Sequence, residues 1–173
     1  EENIIPFIET EVSGNTLKIK YKKNTNIRTT KRMTITISFM DIESVALGGS
    51  GNISSKELIK SKDLKVSIGG SGNIQLKVTA DALKASIGGS GNIELAGSAN
   101  ELTCSIAGSG SIKAYELTTN ELSANVAGSG NVKATVKTKI DAKLVGSGSV
   151  YYKGNPKHVD SKAGGSGSII DKK

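Results

Sequence analysis

The strongest constraint on the fold of this chain is a Gly-Ser-Gly triplet that recurs along most of its length. The central serines of the seven triplets are separated by 21, 19, 19, 20, 18 and 19 residues. A regular period of this size is typical of a protein that stacks one small structural unit many times. A phosphate-binding loop would need such a segment only once, so the repeat indicates a structural use.

Apolar residues recur at fixed distances from each triplet and alternate with polar ones. Upstream of the triplets, three columns of apolar or small residues begin at Leu64, Val66 and Ile68. The downstream column consists of Ile53, Ile74, Ile93, Ile112, Val132, Val150 and Ile169. Alternation with a period of two predicts β-strands that bury one face.

The length of the repeat selects the fold class. A unit of about 19 residues is too short for a strand–helix–strand unit, but it gives one coil of roughly 60 Å circumference. We therefore predict an all-β fold, a single-stranded parallel β-helix (β-solenoid) of about seven coils of 18–21 residues. We expect it to be right-handed, as parallel crossovers usually are. The whole chain, 1–173, is expected to form one domain, in which 45–173 are the coils.

Residues 1–44 are predicted to form an atypical N-terminal hairpin cap with further capping strands, because terminal coils must cover an open edge. In "IETEV-SGN-TLKIKYKK", two alternating runs flank a turn that contains Gly14 and Asn15. The basic stretch "KKNTNIRTTKR" is expected to be an exposed loop. "MTITISF" then predicts a strand with four apolar side chains on one face: Met33, Ile35, Ile37 and Phe39.

The segment around the triplet keeps a constant length, whereas the rest of the repeat varies. "LKVSIGGSGNI", "LKASIGGSGNI", "LTCSIAGSGSI" and "LSANVAGSGNV" all have 11 residues. We expect the glycines to serve a crowded bend, with stacked amides bonding between coils. The predicted structural ladder comprises Ser50, Asn52, Ser71, Asn73, Ser90, Asn92, Ser109, Ser111, Ser129, Asn131, Ser147, Ser149, Ser166 and Ser168.

The order of hairpin, strand and Gly-Ser-Gly coils resembles a known family. "PFIETEVSGNTLKIKYKK", "MTITISFMDIESVALGGSGNI" and the recurring "GSGN" are similar to the "putative auto-transporter adhesin, head GIN domain" family. The resemblance implies a parallel β-helix in a cell-envelope protein of Bacteroidetes, periplasmic or on the outer surface. Such proteins are often lipoproteins, anchored through an upstream cysteine. The start "EENIIPFIETEV" lacks an initiator methionine and a signal peptide, so we expect that upstream residues have been removed.

No group of residues predicts catalysis, a cofactor or a metal. Calcium-binding nonapeptide repeats have a shorter period and an Asp ligand, and no Gly-Lys-Ser/Thr follows the triplets. Cys104 shares a column with Ala85 and Ala124, so it is expected to point inward. His158 lies in a polar stretch about three coils away, and the two side chains are therefore not expected to form a catalytic pair. A glycan-cleaving site would need clustered carboxylates, but the acidic residues are scattered: Asp63, Asp81, Glu94, Glu101, Glu116 and Glu121.

Charge and composition leave the partner open. The net charge of +7 permits acidic partners, but only 3% of the residues are aromatic and no dense basic stripe favours nucleic acid. No run is apolar enough for a transmembrane segment. We expect a non-enzymatic cell-envelope β-solenoid, an adhesin or surface scaffold for display, whose partner is an envelope or host-surface glycan or protein. The alternatives are a polymerising cytoskeletal-type β-helix and a glycan-binding or glycan-cleaving β-helix. A homo-oligomer through the solenoid edges also remains open.

Overall fold

The computed structural model describes residues 2–23 and 33–173. By their packing, the residues form two compact units, Glu1–Ser38 and Phe39–Lys173. The first unit contains a short 3-10 helix, Glu2–Phe7, and two strands, β1 (Ile8–Ser13) and β2 (Thr16–Tyr21). The second unit contains all the remaining strands.

The predicted N-terminal hairpin is confirmed. Strands β1 and β2 are antiparallel, and their register runs from Ile8 opposite Tyr21 to Ser13 opposite Thr16. The two-residue turn between them needs a left-handed backbone, which Gly14 supplies with a φ of 58°. Of the predicted exposed loop, residues 24–32 lie outside the described part of the chain.

The strand predicted over "MTITISF" is wrong. Residues 33–43 contain no strand, and the side chains of Met33, Ile35, Ile37 and Phe39 are exposed. An alternating pattern makes a strand only where a second strand can satisfy its backbone groups. Among the described residues, none pairs with this segment. The alternating pattern shows that these residues suit a strand, but it does not show whether a second strand is available to pair with them.

The second unit is a parallel β-solenoid of about seven turns, as the repeat predicts. Each long strand starts immediately after a triplet and ends at the first glycine of the next, so one strand is nearly one whole coil. The strands are β3 (Ser44–Gly49), β4 (Asn52–Gly70), β5 (Asn73–Gly89), β6 (Asn92–Gly108), β7 (Ser111–Gly128), β8 (Asn131–Gly146), β9 (Ser149–Lys153), β10 (His158–Gly164) and β11 (Ser168–Asp171). All pairings between them are parallel.

The predicted apolar columns stack in register inside the coils as far as β8, whereas the last members of the upstream columns, in β10, are exposed. Leu64 pairs with Leu83, and the column continues through Leu102 to Leu122 and Ile140. The downstream isoleucine column is likewise continuous, and its members from β5 to β9 are at most 1% exposed. Its two terminal members, Ile53 and Ile169, are only partly buried because one neighbouring rung is atypical or absent. The core is therefore a set of stacked columns of aliphatic and small side chains.

Length variation falls where the sequence placed it. The register between neighbouring coils shifts between Ser54 and Leu58, between Glu94 and Gly97, and between Ala114 and Thr118. From the leucine column to the triplet, the register is unbroken in β4 to β8. Irregularities that begin after the downstream apolar column absorb the additional residues, which keeps the triplets aligned.

Candidate functional site

The triplets form a corner in which each coil is hydrogen-bonded to the coil before it. The backbone N–H groups of Ser90 and Gly91 both donate to the carbonyl oxygen of Gly70, at 3.0 Å each. The N–H of Asn92 donates to the carbonyl oxygen of Gly72, also at 3.0 Å. The same three bonds recur at the corners that follow, through Ser149. The corner therefore satisfies its own backbone groups without any ligand.

Both glycines of a triplet are required by the close packing of the coils, and the first is also required by its backbone conformation. Gly89 has a φ of 131°, and a Cβ on it would lie 2.5 Å from the carbonyl oxygen of Gly70. Gly91 has no positive φ, but a Cβ there would lie 2.6 Å from the carbonyl oxygen of Gly72 and 2.8 Å from Cγ2 of Ile68. Real Cβ atoms do not approach backbone oxygens so closely. The close approach of two coils thus demands glycine at both positions, and the backbone conformation is a second reason for it at the first.

The side chains of the predicted ladder lie along this corner. All seven central serines of the triplets are exposed. In the adjacent column, the amide Nδ2 of Asn73 donates to Oδ1 of Asn52 at 2.9 Å, and Nδ2 of Asn92 donates to Oδ1 of Asn73 at 3.0 Å. Ser111 ends this run, and further on the backbone N–H of Ser149 donates to Oδ1 of Asn131 at 3.2 Å. Ser168 continues the column in β11 and is exposed.

Cys104 and His158 are not brought together. Cys104 is fully buried between Ala85 and Ala124, and burial raises the pKa of its thiol to about 12. His158 is exposed at the start of β10, where it pairs with Lys139. A buried, protonated thiol is a poor nucleophile.

The six acidic residues singled out in the sequence are all exposed. Within residues 2–23 and 33–173, no three His, Cys, Asp or Glu side chains are close enough to hold a metal ion. In the same part of the chain, no helix has the length and apolar character needed to cross a bilayer.

Sequence reasoning missed a second surface, on the outside of the coils just beyond the asparagine column. In one outward column, Lys113 pairs with Lys133, and Lys133 pairs with Tyr151. The next outward column holds Tyr115, and Lys153 pairs with Thr135 beside it. The backbone of Lys172 bonds to Tyr152, which places it beside Lys153. We call this surface the lysine–tyrosine face; it consists of Lys113, Tyr115, Lys133, Tyr151, Lys153 and Lys172.

Cation–π contacts hold this face together. The Nζ atom of Lys153 lies 4.8 Å from the ring centroid of Tyr115. The Nζ atoms of Lys133 and Lys172 lie 5.9 and 5.5 Å from the ring centroid of Tyr151. These distances are within the range in which an ammonium group is attracted to an aromatic ring. Three of the four ammonium groups therefore lie against one of the two rings.

A shallow groove of about 370 Å³ runs along the lysine–tyrosine face; it is lined by Ser111, by Asn131 and by every residue of the face except Lys153. Burial raises the pKa of the Tyr115 hydroxyl, and the proximity of Tyr151 raises it further. Both effects favour a neutral hydroxyl on Tyr115, which can donate a hydrogen bond. The groove could have been found by aligning the outward columns of the repeat in the same way as the inward ones.

The fold and these surfaces define a class: a parallel β-solenoid with a filled core, whose chemistry lies on its outside. The sequence profile of the "putative auto-transporter adhesin, head GIN domain" family matches residues 1–156. The chain belongs to this family.

Solved structures of similar proteins agree with this membership. A putative adhesin from Bacteroides fragilis is 28% identical, with a TM-score of 0.93 over 99% of this chain and 79% of that one. A protein from Parabacteroides distasonis described as a putative lipid binding protein is 29% identical, with a TM-score of 0.82 over 99% and 81% of the two chains. A putative adhesin from the same species is 26% identical, with a TM-score of 0.74 over 99% and 81%. No protein of curated function is significantly similar to the chain.

Proposed function

We propose that this protein is a non-enzymatic adhesin or display scaffold of the cell envelope. The observation that supports the proposal most directly is the difference between the inward and outward faces of each coil. Interior columns are aliphatic and almost wholly buried, while the outer faces are polar and rigidly held by the sheet. Such a body presents surface side chains in fixed positions, which is what attachment requires. The family name and the two solved structures described as putative adhesins support the same function.

The proposal also covers the location of the protein, its domain organisation and the role of the side-chain ladder. We propose an envelope or outer-surface location, one domain over 1–173, and no catalytic, cofactor or metal site. The serine and asparagine ladder is assigned a structural role, because its hydrogen bonds run from coil to coil. Lipid binding, for which the Parabacteroides distasonis relative is named, would have to take place on the outside of this solenoid, since aliphatic side chains fill its interior.

The location is tested by protease treatment of intact cells that produce the protein naturally, followed by immunoblotting of fractions. We expect the protein in the envelope fraction and, if it is displayed, cleavage without lysis. Recovery from the cytoplasm as polymers that sediment would instead support the cytoskeletal alternative. Light scattering of the purified protein measures whether its edges form a homo-oligomer, which is compatible with display.

A further inference from the structure

We propose that the lysine–tyrosine face binds an acidic polysaccharide, one that carries carboxylate or sulfate groups on pyranose rings. This inference rests on the proposed adhesive function and names the ligand class for it. The face is built from strands β7, β8 and β9 and from Lys172, so the rigid part of the fold holds most of its groups in place.

The first argument is unneutralised charge. Lys113 and Lys133 occupy the same column in adjacent coils, about 4.8 Å apart along the axis. Among the described residues, the ion pair within 4.0 Å is Lys20 with Glu9, so no described carboxylate pairs with a lysine of the face. Glu94, one coil before Lys113 in the same column, offsets part of this charge. The remaining excess of positive charge is stabilised when an anion binds.

The second argument is the mixture of groups around this charge. Tyr115 and Tyr151 are partly exposed, and because lysine ammonium groups lie over their rings, it is their hydroxyl groups that they offer to the hydroxyl groups of a sugar. Ser111 and Asn131 line the same groove and provide neutral donors and acceptors for hydroxyl groups. An inorganic anion would use only the lysines. An acidic sugar uses all three kinds of group.

The third argument is the shape and extent of the face. The groove crosses successive coils, and the rise of a coil is close to that of one sugar unit in an extended polysaccharide. Consecutive sugar units can therefore follow consecutive coils. In the same outward column, the coil before Lys113 carries Glu94, and the coil before that carries Gln75. The change of charge at Glu94 confines the anionic ligand to the coils from β7 onward.

The test is calorimetric titration of the protein with hexagalacturonate and with a heparin-derived hexasaccharide. Fully methyl-esterified hexagalacturonate serves as the uncharged counterpart. We expect at least one of the acidic sugars to bind, and the methyl ester to bind at least about tenfold more weakly. Absence of binding by both acidic sugars, or equal binding of hexagalacturonate and its ester, overturns the proposal.

Substitutions on the lysine–tyrosine face test whether the acidic sugars bind there. The double variant Lys113→Gln/Lys133→Gln should weaken binding by about tenfold or more, and Tyr151→Leu should weaken it as well. The control is Lys65→Gln/Lys84→Gln, which removes the same charge from exposed positions between buried residues on strands β4 and β5. Equal losses in the two double variants would show attraction by net charge alone and would overturn the assignment.

Two further experiments distinguish a failure of the ligand assignment from a failure of the proposed function. Flotation with phosphatidylglycerol vesicles that depends on the face, without binding to either acidic sugar, would identify a membrane as the partner and overturn the glycan. Adhesion of the purified protein to cells is measured in parallel. If adhesion persists in Lys113→Gln/Lys133→Gln, the ligand assignment fails while the adhesive function stands. If the parent protein binds acidic sugars but is cytoplasmic, the proposed function fails instead.

Discussion

The triplet corner and the lysine–tyrosine face lie next to each other on the outside of the same coils, yet they differ in nearly every respect. At the corner, coil after coil repeats the same residues, because coil-to-coil hydrogen bonds and close backbone approach leave room for little else. On the face, the residue changes from Gln75 to Glu94 and then to Lys113 along one column. The comparison teaches that repetition in this protein marks structure, and that departure from the repeat marks the surface on which function can differ.

The largest effect is expected in the core that supports both surfaces. Replacing Ile87 by Asp buries an uncompensated charge at a position that is 2% exposed. We expect the free energy of unfolding to fall by about 4 kcal/mol or more. Lys84→Asp, at an exposed position three residues away, should change it by roughly 0.5 kcal/mol or less. Urea titrations of both variants measure the difference; similar losses would show that the inward and outward assignments are wrong.

The next effect tests whether the corner is structural. A valine at position 91 would collide with the carbonyl oxygen of Gly72 and with Ile68. We expect Gly91→Val to destabilise the protein by roughly 3 kcal/mol with no ligand present. Gly88→Val is a matched control, because the nearest atom to a Cβ at Gly88 is 3.9 Å away and its φ is not positive. If thermal melting shows Gly91→Val to be as stable as Gly88→Val, the corner becomes a candidate binding surface.

A pH-dependent effect follows from the buried thiol. The pKa of Cys104 is raised from 9.0 to about 12 in the folded protein, so the unfolded chain loses its proton first as pH rises. The contribution of the protonated Cys104 thiol to the free energy of unfolding is complete below pH 9. It is lost between pH 9 and about pH 12, by up to about 1.4 kcal/mol per pH unit. The stability of the parent minus that of Cys104→Ala should therefore fall over this range. A difference that stays constant from pH 8 to pH 11 would contradict the burial of the thiol.

The smallest effects distinguish the two side-chain columns of the corner. Asn73→Ala removes two hydrogen bonds between amides, one to Asn52 and one to Asn92. Because Asn73 itself is exposed, we expect a loss of about 1 kcal/mol at most. Ser90→Ala, at an exposed hydroxyl, should cost less than about 0.5 kcal/mol. The order of the two melting temperatures checks the assignment; a more damaging Ser90→Ala would reverse it.

The sequence by itself determined the coil, because a period of about 19 residues with alternating apolar columns has one efficient way to bury its surface. It also predicted the hairpin, since a Gly-Asn turn between two alternating runs is a local signal. Only the tertiary structure decided the rest. Residues 33–39 carry a strand pattern but have no described partner strand, and pairing is not a local property. Lys113, Tyr151 and Lys172 are far apart in sequence. They form one face only because the stacking of coils converts a distance of about 19 residues along the chain into about 4.8 Å in space.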